Sequence, residues 1–335
     1  MILKNKRILL GVSGSIACYK ALDLTSKLVQ GDAVVDVIMT EAACKFITPL
    51  SFQGVSGRPV STNLWTLGNG DIGHIEMANS ADLVVIAPAT ANVIAKLAHG
   101  LADDLLTTTV LATKARLIVA PAMDGNMYYH PLVQQNINKL LEMGVIIVGP
   151  NEGRLASGMV SKGRLSEPHE ILGHIRAVLG SQGDLKGKKI VVTAGGTQEP
   201  IDPVRIITNH SSGKMGYAIA EAARDRGASV TLVTATTSLP IPVSMEIIHV
   251  KTTADMQIAV EKSLNAATAL IMAAAIGDFR PKIPSNQKLK TDKGDLELSL
   301  TKNPDILATV KGSFIKVGFA AETQSLETNA KKKLL

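Results

Sequence analysis

The residues best suited to chemistry in this chain are small and polar, and most of them follow short apolar runs. At residues 11–15 the run GVSGS supplies Gly11 and Gly14 for a tight turn, with Ser13 and Ser15 as hydroxyl donors. A turn of this kind between a strand and a helix aims backbone N–H groups at an anion. The spacing does not match the dinucleotide fingerprint G-x-G-x-x-G. The readings are therefore a phosphate cradle or a plain strand–helix turn. Gly195, Gly196 and Thr197 repeat the arrangement after a later apolar run. Ser211, Ser212, Gly213 and Lys214 open a helix with a cation added, the alternative being a charged cap.

Titratable groups come next. His74 follows Gly70 and Gly73, on or near a Gly-rich connection, where an imidazole can act as acid or base toward a ligand or serve only structure. Asp278 follows an apolar run, where a carboxylate serves a ribose, a metal ion or a buried Arg. Lys288 and Lys290 flank Leu289 and would face one side of a strand, beside Asp278 in an anion-binding reading or simply solvated. Met123 and Met127 fit an ordinary core equally well. Cys18 and Cys44 have no metal-ligand spacing and give no disulfide framework.

These residues need a scaffold, and the apolar runs supply one. Residues 7–10, 34–39, 82–87, 116–120 and 145–148 read as five short strands separated by helical patterns. Such alternation predicts a parallel sheet covered on both faces, with ligands bound beyond the strand C-termini. A polar stretch at 180–184 separates a second set: strands at 188–193, 230–233 and 269–273, and a last apolar run at 317–320. A helix is expected from near Gly213 to Arg226, stopped by Gly227. Residues 288–307 read as a hairpin that turns at 292–294, with Leu296, Leu298 and Leu300 alternating on one side.

The length, 335 residues, fits two domains. The net charge of +6 is spread along the chain without aromatic-interleaved basic patches, which argues for anionic small molecules and against nucleic acid. No apolar run approaches membrane-spanning length and the N-terminus reads as a strand rather than a signal peptide. Two cysteines suit a reducing cytoplasm.

Taken in order, the segments carry a specific resemblance. GVSGSIACYKALDL, TPLSFQGVSG and APATANVIAKLAHGLADDLL in the first half, and GGTQEPIDPVR, ITNHSSGKMG, GDFRP, the KxK segment, KNPDI and GFAAET in the second, resemble the bifunctional phosphopantothenoylcysteine decarboxylase / phosphopantothenate–cysteine ligase flavoproteins of coenzyme A biosynthesis. The resemblance covers essentially the whole chain. It implies an α/β fold of two Rossmann-like three-layer domains. Residues 1–180 would form a flavodoxin-like FMN-dependent decarboxylase domain, and residues 185–335 a nucleotide-binding ligase domain. That ligase domain usually runs some tens of residues further, so the terminal KKKLL is expected to fall short of its C-terminal end.

The resemblance also implies roles. His74 matches the histidine that helps the flavin oxidise the cysteine moiety. Gly14, Ser15, Thr40, Thr90 and Asn92 match FMN contacts. Asn209 matches a residue that handles the acyl-nucleotide intermediate. Lys288 matches a catalytic and nucleotide-binding lysine. Met272, Ala273, Ala274, Asp278, Pro304, Asp305, Ile306, Leu307, Phe319 and Lys333 match further nucleotide-binding positions. No metal ligands are assigned.

Two positions depart from the family pattern. Asp124 stands where P-x-M-N-x-x-M has a functional Asn, and an ionised carboxylate cannot donate to a substrate carboxylate. Ser157 stands where a flap cysteine donates the final proton, and a hydroxyl is a far weaker acid than a thiol of pKa about 8.5. Both remain catalytic candidates.

The implied reaction ligates cysteine to 4'-phosphopantothenate with CTP and Mg²⁺, then decarboxylates the product with FMN. Homo-oligomers are implied, trimer-based for the first domain and dimeric for the second. Other flavin enzymes of this fold are weighed against the attached second domain, which they lack. A ligase whose first domain is a weakened or regulatory FMN binder is the alternative, as is a scaffold with neither activity.

Overall fold

The computed structural model describes residues 2–65, 73–290 and 295–319. The chain divides into two compact units, Met1–Leu179 and Gly180–Leu335.

In the first unit the apolar runs become β1 (Arg7–Val12), β2 (Val34–Met39), β3 (Val60–Ser61), β4 (Leu83–Ala89), β5 (Arg116–Pro121) and β6 (Ile146–Ile147). The connections carry α1 (Cys18–Gln30), α2 (Glu41–Cys44), α3 (Pro49–Ser56), α4 (Gly73–Ser80), α5 (Ala91–His99), α6 (Leu105–Ala112), α7 (Gly125–Tyr128) and α8 (Pro131–Glu142). A hairpin of β7 (Asn151–Arg154) and β8 (Val160–Arg164) follows, then α9 (Pro168–Gly180).

The six-stranded sheet has the order β3-β2-β1-β4-β5-β6, all parallel. Every residue of β4 is buried because helices cover both faces, which is why the strand reads as a continuous apolar run. Leu24, Leu28, Phe52, Ile171 and Ile175 pack on one face with Leu10, Val12 and Val85. Ile94, Leu106 and Leu140 pack on the other with Leu9, Val84 and Val119. The winding reverses between β1 and β4, and the crevice beyond their C-terminal ends is where such sheets bind ligands.

The second unit repeats the plan. Its strands are β9 (Lys189–Ala194), β10 (Gln198–Pro200), β11 (Ile206–Thr208), β12 (Ser229–Thr234), β13 (Glu246–His249), β14 (Ala269–Met272), β15 (Phe279–Pro281), β16 (Leu300–Lys302) and β17 (Ile315–Gly318). Its helices are α10 (Lys214–Asp225), α11 (Thr253–Ser263) and α12 (Ile306–Thr309). The main sheet is parallel in the order β13-β12-β9-β14-β17, so the reversal falls between β9 and β14. Gly216 lets α10 lie on β9: a Cβ there would come within 2.6 Å of the Ala194 Cβ. The two faces bury separate clusters, one around Val191, Met256 and Leu270 and one around Val192, Tyr217 and Ala220.

The doubly wound α/β architecture expected from the sequence is present in both units. The hairpin expected over residues 288–307 differs. β16 pairs antiparallel with β15, not with the lysine segment, and Lys288, Leu289 and Lys290 lie outside any strand. Its expected turn at 292–294 lies outside the described residues. Leu296, Leu298 and Leu300 are at least 40 % exposed, so their alternation marks no buried face in this chain.

Candidate active sites

The site of the first unit is built on Ser13. This buried hydroxyl donates to Pro88 O (2.7 Å) and accepts from the Thr90 N–H (3.0 Å), while the Ser13 N–H also donates to Pro88 O. The ends of β1 and β4 are thereby tied, and residues 14–17 project as a turn into α1. Gly14 is required there: a Cβ would sit 2.5 Å from the Ala42 Cβ and 2.9 Å from its carbonyl carbon. The N–H groups of Ser15 and Ile16 make no hydrogen bond among the described residues. This is a donor-rich cradle of the kind that takes a phosphate.

A cavity of about 500 Å³ opens beside the turn. Gly14, Ser15 and Thr90 line it together with Met123 and Asp124 after β5, Met127 from α7, and Ser157 from the connection between β7 and β8. The methionines thus wall a cavity, where sequence spacing left them open. The hairpin is fastened by the Met123 N–H, which donates to Gly163 O (2.9 Å). Asp124 starts α7 and accepts from the Asn126 N–H through Oδ1 (3.0 Å) and from the Ser157 hydroxyl through Oδ2 (2.7 Å). The Ser157 bond, and then the Asn126 bond, hold the Asp124 carboxyl below the usual carboxylate range. Asp124 is therefore an ionised acceptor at neutral pH.

Lys20 is a cavity residue that sequence reasoning missed. It is buried, and its Nζ donates to Leu165 O and Glu167 Oε1, both at 2.9 Å. The signal was a lysine lying within the apolar stripe of Ala17, Ala21, Leu24 and Leu28. Burial pushes the Cys18 and Cys44 thiols above their ordinary range, so neither is an activated thiol.

Three expected residues do not line this cavity. Thr40 stands at the end of β2 and accepts from the Ala43 N–H (3.2 Å), capping α2. Asn92 is exposed on the first turn of α5, and His74 is half-buried at the start of α4, which packs against α6. The structure brings Gly14, Ser15, Thr90, Asp124 and Ser157 together.

In the second unit the switch point is sewn by Thr193, Gly195 and Thr197. Ala274 N–H donates to Thr193 Oγ1 (3.1 Å), Ala275 N–H to Gly195 O (2.8 Å) and Gly277 N–H to Thr197 Oγ1 (2.9 Å). Met272 thus ends β14, Ala273 and Ala274 follow it directly, and Asp278 is exposed just beyond. Asn209 is exposed and donates from Nδ2 to Ile276 O (2.9 Å).

Asn303 is the hub between Asp278 and the next segment. Its backbone N–H donates to Asp278 O (2.7 Å), its Nδ2 to Gly277 O (2.7 Å) and Thr253 Oγ1 (3.3 Å), and its Oδ1 accepts from Arg280 (2.7 Å). Pro304 is exposed, and Asp305 caps α12 by accepting from the Ala308 N–H (3.1 Å). Ile306 is a core residue and Leu307 packs on the same cluster, so their side chains serve packing first. Phe319 follows β17, whose Gly318 pairs with Met272. The strand ends therefore gather Met272, Ala273, Ala274, Asp278, Pro304 and Phe319 along one edge. Lys333 lies outside the described residues. Among the described residues no cluster of three or more His, Cys, Asp or Glu is arranged to hold a metal ion.

Comparison with known proteins gives a separate family match for each half of the chain. Residues 2–180 match the family described as Flavoprotein, and residues 185–335 match the DNA/pantothenate metabolism flavoprotein C-terminal domain. The coenzyme A biosynthesis bifunctional protein CoaBC of Vibrio cholerae is 47 % identical over 340 residues, covering 99 % of this chain and 85 % of the relative. CoaBC of Bacillus subtilis is 49 % identical over 340 residues, covering 99 % and 84 %. Among solved structures, a PPC decarboxylase mutant complexed with pantothenoylaminoethenethiol is 34 % identical and covers 52 % of this chain and 97 % of its own, with a TM-score of 0.48. The C-terminal domain of a CoaBC protein is 42 % identical and covers 45 % and 72 %, with a TM-score of 0.40. On full-length identity and on both domain matches, the chain belongs to the family of coenzyme A biosynthesis bifunctional proteins CoaBC.

Proposed function

We propose that the two units act in sequence on one intermediate to make 4'-phosphopantetheine. The chain is a bifunctional enzyme of coenzyme A biosynthesis, with ligase activity in its second unit and decarboxylase activity in its first. The observation that carries the reading is the presence on one chain of two parallel sheets, each with a switch point at its strand C-termini, the first with a cavity lined by Gly14, Ser15, Thr90, Asp124 and Ser157.

In the ligase unit, a carboxylate oxygen of 4'-phosphopantothenate attacks the α-phosphorus of CTP, the α–β bridge breaks, and pyrophosphate leaves. The cysteine amine then attacks the acyl carbon and CMP leaves, forming the amide. Lys288 sets positive charge against the charge that builds on the transferring phosphoryl group. Asn209 is anchored through Nδ2 to Ile276 O and handles the acyl nucleotide. Asp278, with the strand-end backbone of Met272, Ala273 and Ala274, and with Pro304, Asp305, Ile306, Leu307, Phe319 and Lys333, holds the nucleotide. Magnesium, bound with the nucleotide phosphates, would neutralise charge on the leaving pyrophosphate.

In the first unit the cradle fits the phosphate of FMN: it excludes a Cβ at Gly14, leaves two N–H groups to donate, and adjoins a cavity walled by Met123 and Met127. Gly14, Ser15 and Thr90 would hold FMN, with Thr40 and Asn92 nearby on neighbouring elements. Bound FMN supplies an electron sink for the cysteine moiety while carbon dioxide is lost. Ser157 is the flap group that would move a proton, once its hydroxyl turns from the Asp124 carboxylate that holds that proton in this structure. His74 acts on the cysteine moiety as acid or base. Full-length identity to bifunctional relatives does not favour a first unit that only binds flavin.

We read the first unit as trimer-based and the second unit as dimeric. No helix among the described residues is long and apolar enough to cross a membrane, and two reduced thiols suit a cytoplasmic setting. The decarboxylase role is tested by supplying phosphopantothenoylcysteine directly to the flavin-loaded protein. Release of carbon dioxide is expected; intact substrate after many enzyme equivalents of time and flavin would overturn the role.

A further inference from the structure

Asp202 sits in the loop between β10 and β11 and is 2 % exposed. A buried carboxylate must be compensated by donors, and Asp202 has four. The backbone N–H groups of Val204 and Arg205 donate to Oδ1 at 2.8 and 2.7 Å. Arg205 Nη1 donates to Oδ2 at 2.7 Å, and the Leu289 N–H donates to the same oxygen at 3.1 Å. The last donor lies 87 positions away in sequence. Arg205 Nη1 also donates to Leu289 O at 3.0 Å. One ion pair thus takes both polar backbone groups of Leu289. Ser285 N–H adds a tie to Ile201 O (2.8 Å).

The neighbours of Leu289 are the exposed Lys288 and Lys290. The segment has no strand ladder to fix its backbone, and a lysine on a flexible stem holds its charge at a reacting group only if its root is fixed. We infer that Asp202, with Arg205, clamps the Leu289 backbone and is a positioning residue for Lys288 in the ligase reaction. The inference rests on Lys288 facing the transferring phosphoryl group. Burial opposes the charge on Asp202, but the three backbone N–H groups and the Arg205 guanidinium outweigh it and hold the carboxyl at about 2. The clamp is therefore ionic at any neutral working pH.

The test uses the full chain with Asp202→Asn, Lys288→Gln and the double variant. Ligase kcat in Asp202→Asn should fall about 10- to 100-fold, with little change in KM for cysteine and with decarboxylation of supplied phosphopantothenoylcysteine intact. In the Lys288→Gln background, Asp202→Asn should add less than about twofold, because coupled residues are not additive. A silent Asp202→Asn, or losses that multiply against a slow Lys288→Gln, would overturn the clamp alone. A silent Lys288→Gln would overturn the reading beneath it as well. Hydrogen exchange of the wild-type protein needs no variant to fold: the Leu289 amide should be protected relative to exposed Lys290, and equal exchange at both would also overturn the clamp.

Discussion

The Ser157 hydroxyl donates a 2.7 Å hydrogen bond to Asp124 Oδ2. These are the two positions at which the chain departs from the pattern its family resemblance implies, and they touch. The departures therefore form one unit, in which the carboxylate holds the single hydroxyl proton of Ser157 and leaves its oxygen free to accept. The bond also joins the start of α7 to the connection between β7 and β8, so it ties the flap across the cavity.

Replacing Ser157 removes the proposed proton group while leaving the cradle untouched. Ser157→Ala should leave carbon dioxide release running and slow formation of 4'-phosphopantetheine from the enethiol about 100-fold, the usual scale for a lost general acid, with the flavin absorbance of the purified protein unchanged. Single-turnover reaction of phosphopantothenoylcysteine, with carbon dioxide and 4'-phosphopantetheine counted separately, checks this; 4'-phosphopantetheine forming at an unaltered rate would remove Ser157 from proton handling.

The cradle itself is tested at Gly14. A methyl there has 2.5 Å to the Ala42 Cβ, so the turn must move. Overpacking of this kind costs about 1–3 kcal/mol. Gly14→Ala should lower the thermal midpoint and leave the protein largely free of flavin after purification, measured by the visible to ultraviolet absorbance ratio. Full flavin occupancy would show that the turn does not hold the cofactor phosphate.

Asn303 should behave as a joint between the two segments proposed to bind the nucleotide. Asn303→Ala leaves Gly277 O and Arg280 without this partner. An unsatisfied buried polar group costs about 1–3 kcal/mol. The KM for CTP should rise while decarboxylation of supplied phosphopantothenoylcysteine is unaffected. An unchanged KM would mean that the buried network serves stability alone.

Asp202 gives the second unit a defined response to acid. Its folded carboxyl titrates at about 2, against about 3.9 in an unfolded chain. Because the folded value is the lower one, the stability it contributes is fully present above about pH 4 and is lost as pH falls through about 2. The gap in thermal midpoint between wild type and Asp202→Asn should be constant above pH 5 and shrink below pH 4. A gap that grows on acidification would reverse the sign of this linkage.

Much of this architecture is legible in the sequence because parallel strands buried on both faces are continuous apolar runs, as at β4. The short edge strands are less so: Val60–Ser61 and Glu246–His249 have no fully buried residue and carry little hydrophobic signal. The glycine turns were readable because a tight turn demands specific residues. The Asp124–Ser157 bond spans 33 positions and the Asp202–Leu289 bond 87, and local pattern holds no trace of either. Lys20 was hidden for the opposite reason, since a lysine within an apolar stripe reads as a surface residue until its two acceptors, Leu165 O and Glu167 Oε1, are seen.

The central claim is that one chain carries two sites that work in succession. The most direct measurement supplies 4'-phosphopantothenate, labelled cysteine, CTP and Mg²⁺ to the flavin-loaded protein and counts CMP, phosphopantothenoylcysteine and carbon dioxide together. One carbon dioxide per CMP, with 4'-phosphopantetheine as the final product, is the predicted result. CMP release with phosphopantothenoylcysteine accumulating and no carbon dioxide would contradict it.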